Sequence, residues 1–117
     1  MWQIEFYVKP NGRCPVQEFL DNLSKNDDLP FVIRKFDLLA EFGHELRRPH
    51  TDYLRDEIWE LRVHTRRGQL RFLYFYLGQK MIVMTLGLHK KSAAVRDTDV
   101  DQAIAYRADY LSRNKGR

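Results

Sequence analysis

Arg62 and Arg71 stand nine residues apart, on either side of an Arg66-Arg67-Gly68 turn. A further basic run, His89-Lys90-Lys91, follows the next apolar stretch. Clustered cations suit a polyanion, because each neutralised phosphate releases counterions. A cationic sheet face with aromatic neighbours suits a single-stranded RNA backbone and an unstacked base. The same pattern also describes an exposed face carrying solvated charges, since antiparallel sheets often wet one face. Glu60 fits either reading, as an ion-pair partner of Arg62 or Arg71 or as a proton acceptor.

Whether these groups converge depends on the hairpin between them. An even-length loop puts Arg62 and Arg71 on one sheet face; an odd loop parts them unless a bulge intervenes. A two-residue loop at Arg67-Gly68 sets Val63 against Phe72 and Trp59 against Tyr76. That register gathers the large aromatics on one face and leaves Glu60, Arg62, His64 and Arg71 on the other, beside Leu73 and Phe75. We expect it because it segregates apolar from polar residues best. His89, Lys90 and Lys91 then arrive from the end of the third strand, and Arg66 and Arg67 from the turn.

The elements that must hold this ribbon are legible in turn. Trp2 to Val8 alternates apolar and polar residues and reads as a half-buried strand. Pro15 to about Lys25 carries Val16, Phe19, Leu20 and Leu23 at helical spacing. Asn26-Asp27-Asp28 then offers caps for a second helix with the stripe Leu29, Val32, Ile33, Phe36, Leu39 and Ala40, closed by Gly43. Residues 44–56 have little pattern beyond a brief strand at Tyr53-Leu54, and His44 and His50 read as surface residues. Three strands follow: Glu57 to Val63, Leu70 to Leu77, and Met81 to Leu88 after a Gly78-Gln79 turn. Trp59, Phe72, Tyr74 and Phe75 read as core. Asp97-Thr98 with Asp101 predicts a capped last helix with the stripe Val100, Ala103, Ile104, Ala108 and Leu111 and a frayed basic end from Ser112 to Arg117. The sum is one α+β domain over residues 1–117: a twisted antiparallel sheet, mixed through its N-terminal strand, packed by an N-terminal helical hairpin and a C-terminal helix.

Bulk properties narrow the class. A chain of 117 residues, 44% hydrophobic, buries a core without staples. No run approaches the ~18 apolar residues of a membrane helix, and no signal peptide is evident. Cys14 is the only cysteine, which suits a reducing, cytoplasmic setting. The net charge is +4 and the pI about 9.3, favouring a polyanion or an acidic protein partner. No metal site is expected, since the histidines lack ligand spacing. Asp97-Thr98-Asp99-Val100-Asp101 fails as a calcium loop, with Gln102 where glycine belongs and Ala108 where the closing glutamate belongs. No cofactor motif is present.

Ile58-Trp59-Glu60-Leu61-Arg62, then Gly68-Gln69-Leu70-Arg71-Phe72-Leu73-Tyr74-Phe75, then Ile82-Val83-Met84 leading to Lys90-Lys91, resemble the RelE/HigB-like toxins of bacterial type II toxin–antitoxin modules. The likeness is to their phage-derived branch, with its Trp-Glu-Leu-Arg, Arg-Phe-x-Tyr and Lys-Lys-Thr series; Ala103 and Arg107 fit its closing Ala-x-x-x-Arg helix. The resemblance covers nearly the whole chain and implies a RelE-like fold. It further implies a toxin that cuts mRNA in the ribosomal A site without a metal, by attack of a ribose 2′-OH on the adjacent phosphate. Implied partners are the ribosome, mRNA and a cognate antitoxin of helix-turn-helix type, with no membrane.

Such chemistry needs a proton acceptor, cations around the crowded phosphate and a donor for the leaving oxygen. The resemblance places Arg62, Arg71, His89, Lys90 and Lys91 in the catalytic set. Arg71 leads for phosphate stabilisation, because its planar fork matches phosphoryl oxygens. Lys90 and Lys91 serve as donors or phosphate anchors, and His89 or His64 as acid or base. His64, Arg66, Arg67 and Tyr106 contact RNA, Tyr106 by stacking on a base. Two departures leave the acid and base assignments open: Leu88-His89 where the family often has an aromatic before the lysine pair, and Val95-Arg96 where it has Thr-Pro. ParE-like relatives share the architecture but act on DNA gyrase without cutting RNA, so a non-enzymatic gyrase inhibitor is the alternative. An inactive phage-derived regulatory protein is another.

Overall fold

The computed structural model describes residues 1–23, 25, 27–90 and 94–114. Among these residues the elements run β1 (Gln3–Phe6), α1 (Pro15–Leu23), α2 (Leu29–Phe42), a 3-10 turn (Gly43–Glu45), β2 (Thr51–Arg55), β3 (Ile58–Thr65), β4 (Gly68–Leu77), β5 (Met81–Lys90) and α3 (Asp97–Arg113). The strands form one sheet in the order β1-β5-β4-β3-β2, with β1 parallel to β5 and the other pairs antiparallel. This is the expected α+β architecture, a mixed sheet with a helical hairpin before it and a helix after it. Asn26, Lys91 and residues 115–117, to which capping, catalytic and fraying expectations attach, lie outside the described residues, whereas Ser112 and Arg113, expected in the frayed end, belong to α3.

Strand alternation splits the core in two. Leu61, Val63, Leu70, Phe72, Tyr74, Ile82 and Met84 face the hairpin and meet Val16, Leu23, Val32 and Leu39. Ile58, Leu73, Phe75, Val83 and Leu86 face α3 and meet Val100, Ala103 and Tyr110. Both faces of the central strands are therefore covered along part of their length, which explains the unbroken apolar run in β5. α1 lies against β5 at Gly87, where a Cβ would stand 2.8 Å from the Phe19 ring, so only glycine admits that close approach. The Ala-x-x-x-Arg pair has a packing role as well: Ala103 is fully buried, and the Arg107 guanidinium sits 5.7 Å over the Phe75 ring.

The hairpin register differs from expectation by two residues. Trp59 pairs with Tyr74, Leu61 with Phe72, Val63 with Leu70 and Thr65 with Gly68, so the two-residue loop is Arg66-Arg67. Thr65 sets this register. Its hydroxyl accepts a hydrogen bond from the Arg67 N–H at 3.2 Å and donates to the Gly68 carbonyl at 3.0 Å, closing the turn one step earlier. Gly68 then opens β4 with φ 144. A shift of two leaves every side chain on its expected face, because the strand period is two.

Helix starts also depart from the capping expectation. α3 begins at Asp97 with Arg96 as its N-cap, and no side-chain cap bond forms. Asp97 and Asp99 instead occupy the first turn, where carboxylates favour the helix dipole. Asp101 is drawn away by Arg55, whose Nη2 donates to it at 2.6 Å. The Gly78 turn is three residues long, since Leu77 pairs with Met81.

α3 is tied to β1 by polar contacts beneath it. The Tyr7 hydroxyl donates to Asp109 Oδ2 at 2.6 Å, Arg113 pairs with the same carboxylate, and the Tyr110 hydroxyl donates to Glu5 at 3.1 Å. Burial, reinforced by Asp109, pushes the Tyr7 phenol up to about 12. A raised phenol pKa contributes stability in full below the unfolded value of ~10, and that contribution is lost as pH rises toward about 12. Denaturant unfolding of Tyr7→Phe should show a loss of about 1 kcal/mol at neutral pH. The alkaline decline of the variant should be shallower than that of the parent.

Candidate phosphate-binding face

On the α3 side of the sheet, beyond the end that α3 covers, the strands present side chains in rows. His64, Gln69 and Lys90 form one row across β3, β4 and β5; Arg62, Arg71 and Leu88 form the next. Glu60, Leu73 and Leu86 form a third, at the edge of the α3-facing core. Arg62 and Arg71 are thus not merely on one face but directly opposite each other across the hairpin. Like charges so placed repel unless something lies between them.

Glu60 lies between them. Its Oε1 accepts from Arg62 Nε at 2.8 Å, and its Oε2 stands 3.4 Å from Arg71 Nε. Asp52, from β2 opposite Glu60, adds a second carboxylate on Arg62 at 3.2 Å. Gln69 accepts from Arg71 Nη2 at 2.9 Å. The Arg71 side chain is 5% exposed, whereas that of Arg62 is 27% exposed. Burial lowers the Arg71 pKa, with Glu60 opposing the shift and Arg62 adding to it; a guanidinium nevertheless stays charged. Arg71 Nε and Nη1 have no hydrogen-bond partner among the described residues. Burying this cation with donors not hydrogen-bonded carries a desolvation cost that the 3.4 Å pair with Glu60 only partly offsets.

The other expected residues divide. Lys90 belongs to β5 rather than following it, and it stands on the arginine face diagonal to Arg71. His64 is exposed on the same face by alternation. His89 is not with them. It pairs with Leu70 and lies 5.0 Å from the Phe19 ring of α1, on the opposite side of the sheet, because it is adjacent to Lys90 in the strand and successive side chains alternate faces. His89, Lys90 and Arg67 do line a small cleft of about 80 Å³ at the hairpin end, with Asp28 and Thr65. Arg66 and Arg67 are exposed in the turn. Tyr106 is engaged in packing: its ring stacks on Tyr7 at 4.6 Å. Lys91 falls outside the described residues.

Asp52 and Gln69 were not anticipated as members of this face. The signal for Asp52 was weak, since β2 is short and irregular, with a register shift between Tyr53 and Arg55. Gln69 was available from the same alternation that selected Arg71. Among the described residues no group of three His, Cys, Asp or Glu converges to hold a metal ion, and no helix is long and apolar enough to cross a membrane.

The carboxylate clamp makes a definite energetic claim. Glu60→Ala should destabilise the fold by about 3 kcal/mol, because it leaves the buried Arg71 charge uncompensated. Glu60→Met combined with Arg71→Leu should recover most of that loss in urea unfolding. Strictly additive losses would show that the two side chains are not coupled.

Comparison with known proteins gives one assignment. A search of curated proteins returned no match. Residues 18–107, which run from α1 to α3 and include every residue of the arginine face, match the family model described as phage derived protein Gp49-like (DUF891). This chain belongs to the Gp49-like family of phage-derived, toxin-like proteins.

Proposed function

We propose that this chain is the toxin of a type II toxin–antitoxin module, a ribosome-dependent mRNA endonuclease that cleaves by metal-free attack of a ribose 2′-OH on the adjacent phosphate. The observation that carries this reading is the Arg62–Arg71 pair, held opposite each other across the hairpin, with the buried Nη1 of Arg71 lacking a hydrogen-bond partner among the described residues. In the proposed mechanism the scissile phosphate competes with Glu60 for the two guanidiniums. Arg71 meets the phosphoryl oxygens as charge builds on them, and Arg62 closes the other side. Displaced Glu60 is then a free carboxylate beside the reacting phosphate, able to accept the 2′-OH proton. Lys90 and His64 stand in the neighbouring row as donors for the 5′-oxygen that leaves. The products are a cyclic phosphate and a free 5′-OH. His89, on the far face, serves RNA contact at the hairpin end rather than the chemistry. The cytoplasm, the ribosome and a cognate antitoxin are the setting this reading requires.

The neutralised state of the cations favours a second reading. Arg62 is held by two carboxylates and Arg71 is almost fully buried, an arrangement that also suits a structural ion-pair network in a non-enzymatic, gyrase-directed protein. The two readings separate on their products. Expression of the parent should leave mRNA fragments with 5′-OH ends, whereas gyrase poisoning leaves DNA breaks. Arg71→Lys keeps the buried charge but lacks the fork, and should lower cleavage by about 100-fold or more. Lys90→Ala, a change at the partly exposed rim, should lower cleavage with little effect on folding. Unchanged RNA ends in both variants would refute the mechanism.

A further inference from the structure

A second cleft lies at the β2 edge, away from α3. It encloses about 480 Å³ between the 3-10 turn and β2, and its walls include His44, Arg47, Arg48, Asp52, Tyr53 and Trp59. That volume lies within the range of small-ligand sites and accommodates a nucleotide. The aromatic walls touch one another. Trp59 meets Tyr53 edge to face at 5.1 Å and Tyr76 edge to face at 5.8 Å, so none of these rings is stacked in parallel on another. Tyr53 is 47% exposed, yet its ring is fixed, because its hydroxyl accepts a hydrogen bond from the Glu57 N–H at 3.1 Å. An exposed aromatic held rigidly loses little freedom when a planar ligand stacks on it.

Charge at the cleft selects the ligand. Arg47 is exposed and makes no side-chain hydrogen bond or ion pair among the described residues. Arg48 pairs with Asp52 at 3.0 Å, and Asp52 in turn holds Arg62. Arg48, Asp52, Arg62, Glu60 and Arg71 therefore form one chain of ion pairs, leading from the cleft round the β2 edge onto the arginine face. A ligand with alternating planar rings and anionic groups matches both ends of that chain.

We propose that this cleft is a nucleobase subsite for single-stranded RNA, which holds a nucleotide flanking the one gripped by Arg62 and Arg71. One base stacks on the exposed Tyr53 ring, and its phosphate meets Arg47 and Arg48. The proposal rests on the RNA reading of the arginine face and extends it to a second nucleotide.

The test is titration of the intact chain with an end-labelled single-stranded RNA pentanucleotide, alongside pentanucleotides with one base removed at each position. Tyr53→Ala should weaken binding about tenfold or more, the loss expected for one stacked base, and Tyr53→Phe should keep the affinity because the ring remains. Arg47→Ala should lower the salt dependence by about one counterion. One abasic pentanucleotide should bind the parent as weakly as the full one binds Tyr53→Ala. Undetectable binding by the parent, full affinity in Tyr53→Ala, or indifference to every abasic position would each overturn the subsite. Parallel mapping of 5′-OH ends separates the two claims. If Tyr53→Ala binds normally while cleavage still depends on Arg71, the subsite fails and the nuclease reading stands. If Tyr53→Ala loses affinity but the parent never cuts RNA, the subsite stands and the nuclease reading fails.

Discussion

Two guanidiniums opposite each other across a β-hairpin, one of them buried, constrain everything around them. The pair is tolerable because Glu60 reaches both, at 2.8 and 3.4 Å, and because Asp52 holds Arg62 and Gln69 accepts from Arg71 Nη2. Each of these partners comes from a fixed place in the sheet. Glu60 lies two residues before Arg62, Gln69 two before Arg71, and Asp52 opposite Glu60 on β2. The parity of the Arg66-Arg67 loop decides whether they assemble, and Thr65 fixes where that loop closes. A one-residue slip would send Arg71 into the hairpin-facing core and bring its neighbours out.

The cost of burying a cation bears on function. Groups held in such a state without full compensation tend to cluster where a ligand completes them. Guanidinium nitrogens only donate, so whatever completes Arg71 must offer an acceptor. α3 packs over Leu73, Phe75, Val83 and Leu86; in the rows beyond, Leu88 packs at the edge of that core and Arg71 is buried, while Arg62 and Lys90 are partly exposed and His64 is exposed. The fold thus supplies a rigid floor under the site while its far end stays accessible through Arg62, Lys90 and His64.

Much of this was legible in the sequence for reasons that can be named. The strand alternation from Ile58 to Leu77 assigned both core faces, and the face of Arg62 and Arg71 followed from loop parity alone. The loop position was misjudged because Gly68 attracts a turn assignment, whereas the Thr65 hydroxyl closes the turn a step earlier. His89 was grouped with Lys90 because a basic run reads as one cluster, but strand geometry sends neighbours to opposite faces and gives His89 to α1. Tyr106 was offered to RNA, yet its ring is taken by Tyr7, a partner 99 residues away by sequence number (106 − 7) that periodicity does not reveal. The cleft at Trp59 and Tyr53 was hidden for the same reason: it forms only where the poorly patterned segment after Gly43 folds back on the sheet edge.

The central claim is that Arg62 and Arg71 form one anion-receiving unit, released from Glu60 by a phosphate. The most direct measurement is the Nε–Hε resonances of the arginines in nitrogen-labelled protein, titrated with a short RNA whose 2′-OH groups are replaced so that it binds without being cut. The account predicts that the Arg62 and Arg71 signals shift together, with one saturation curve. Shifts confined to the turn arginines Arg66 and Arg67, with Arg62 and Arg71 unmoved at saturation, would contradict it.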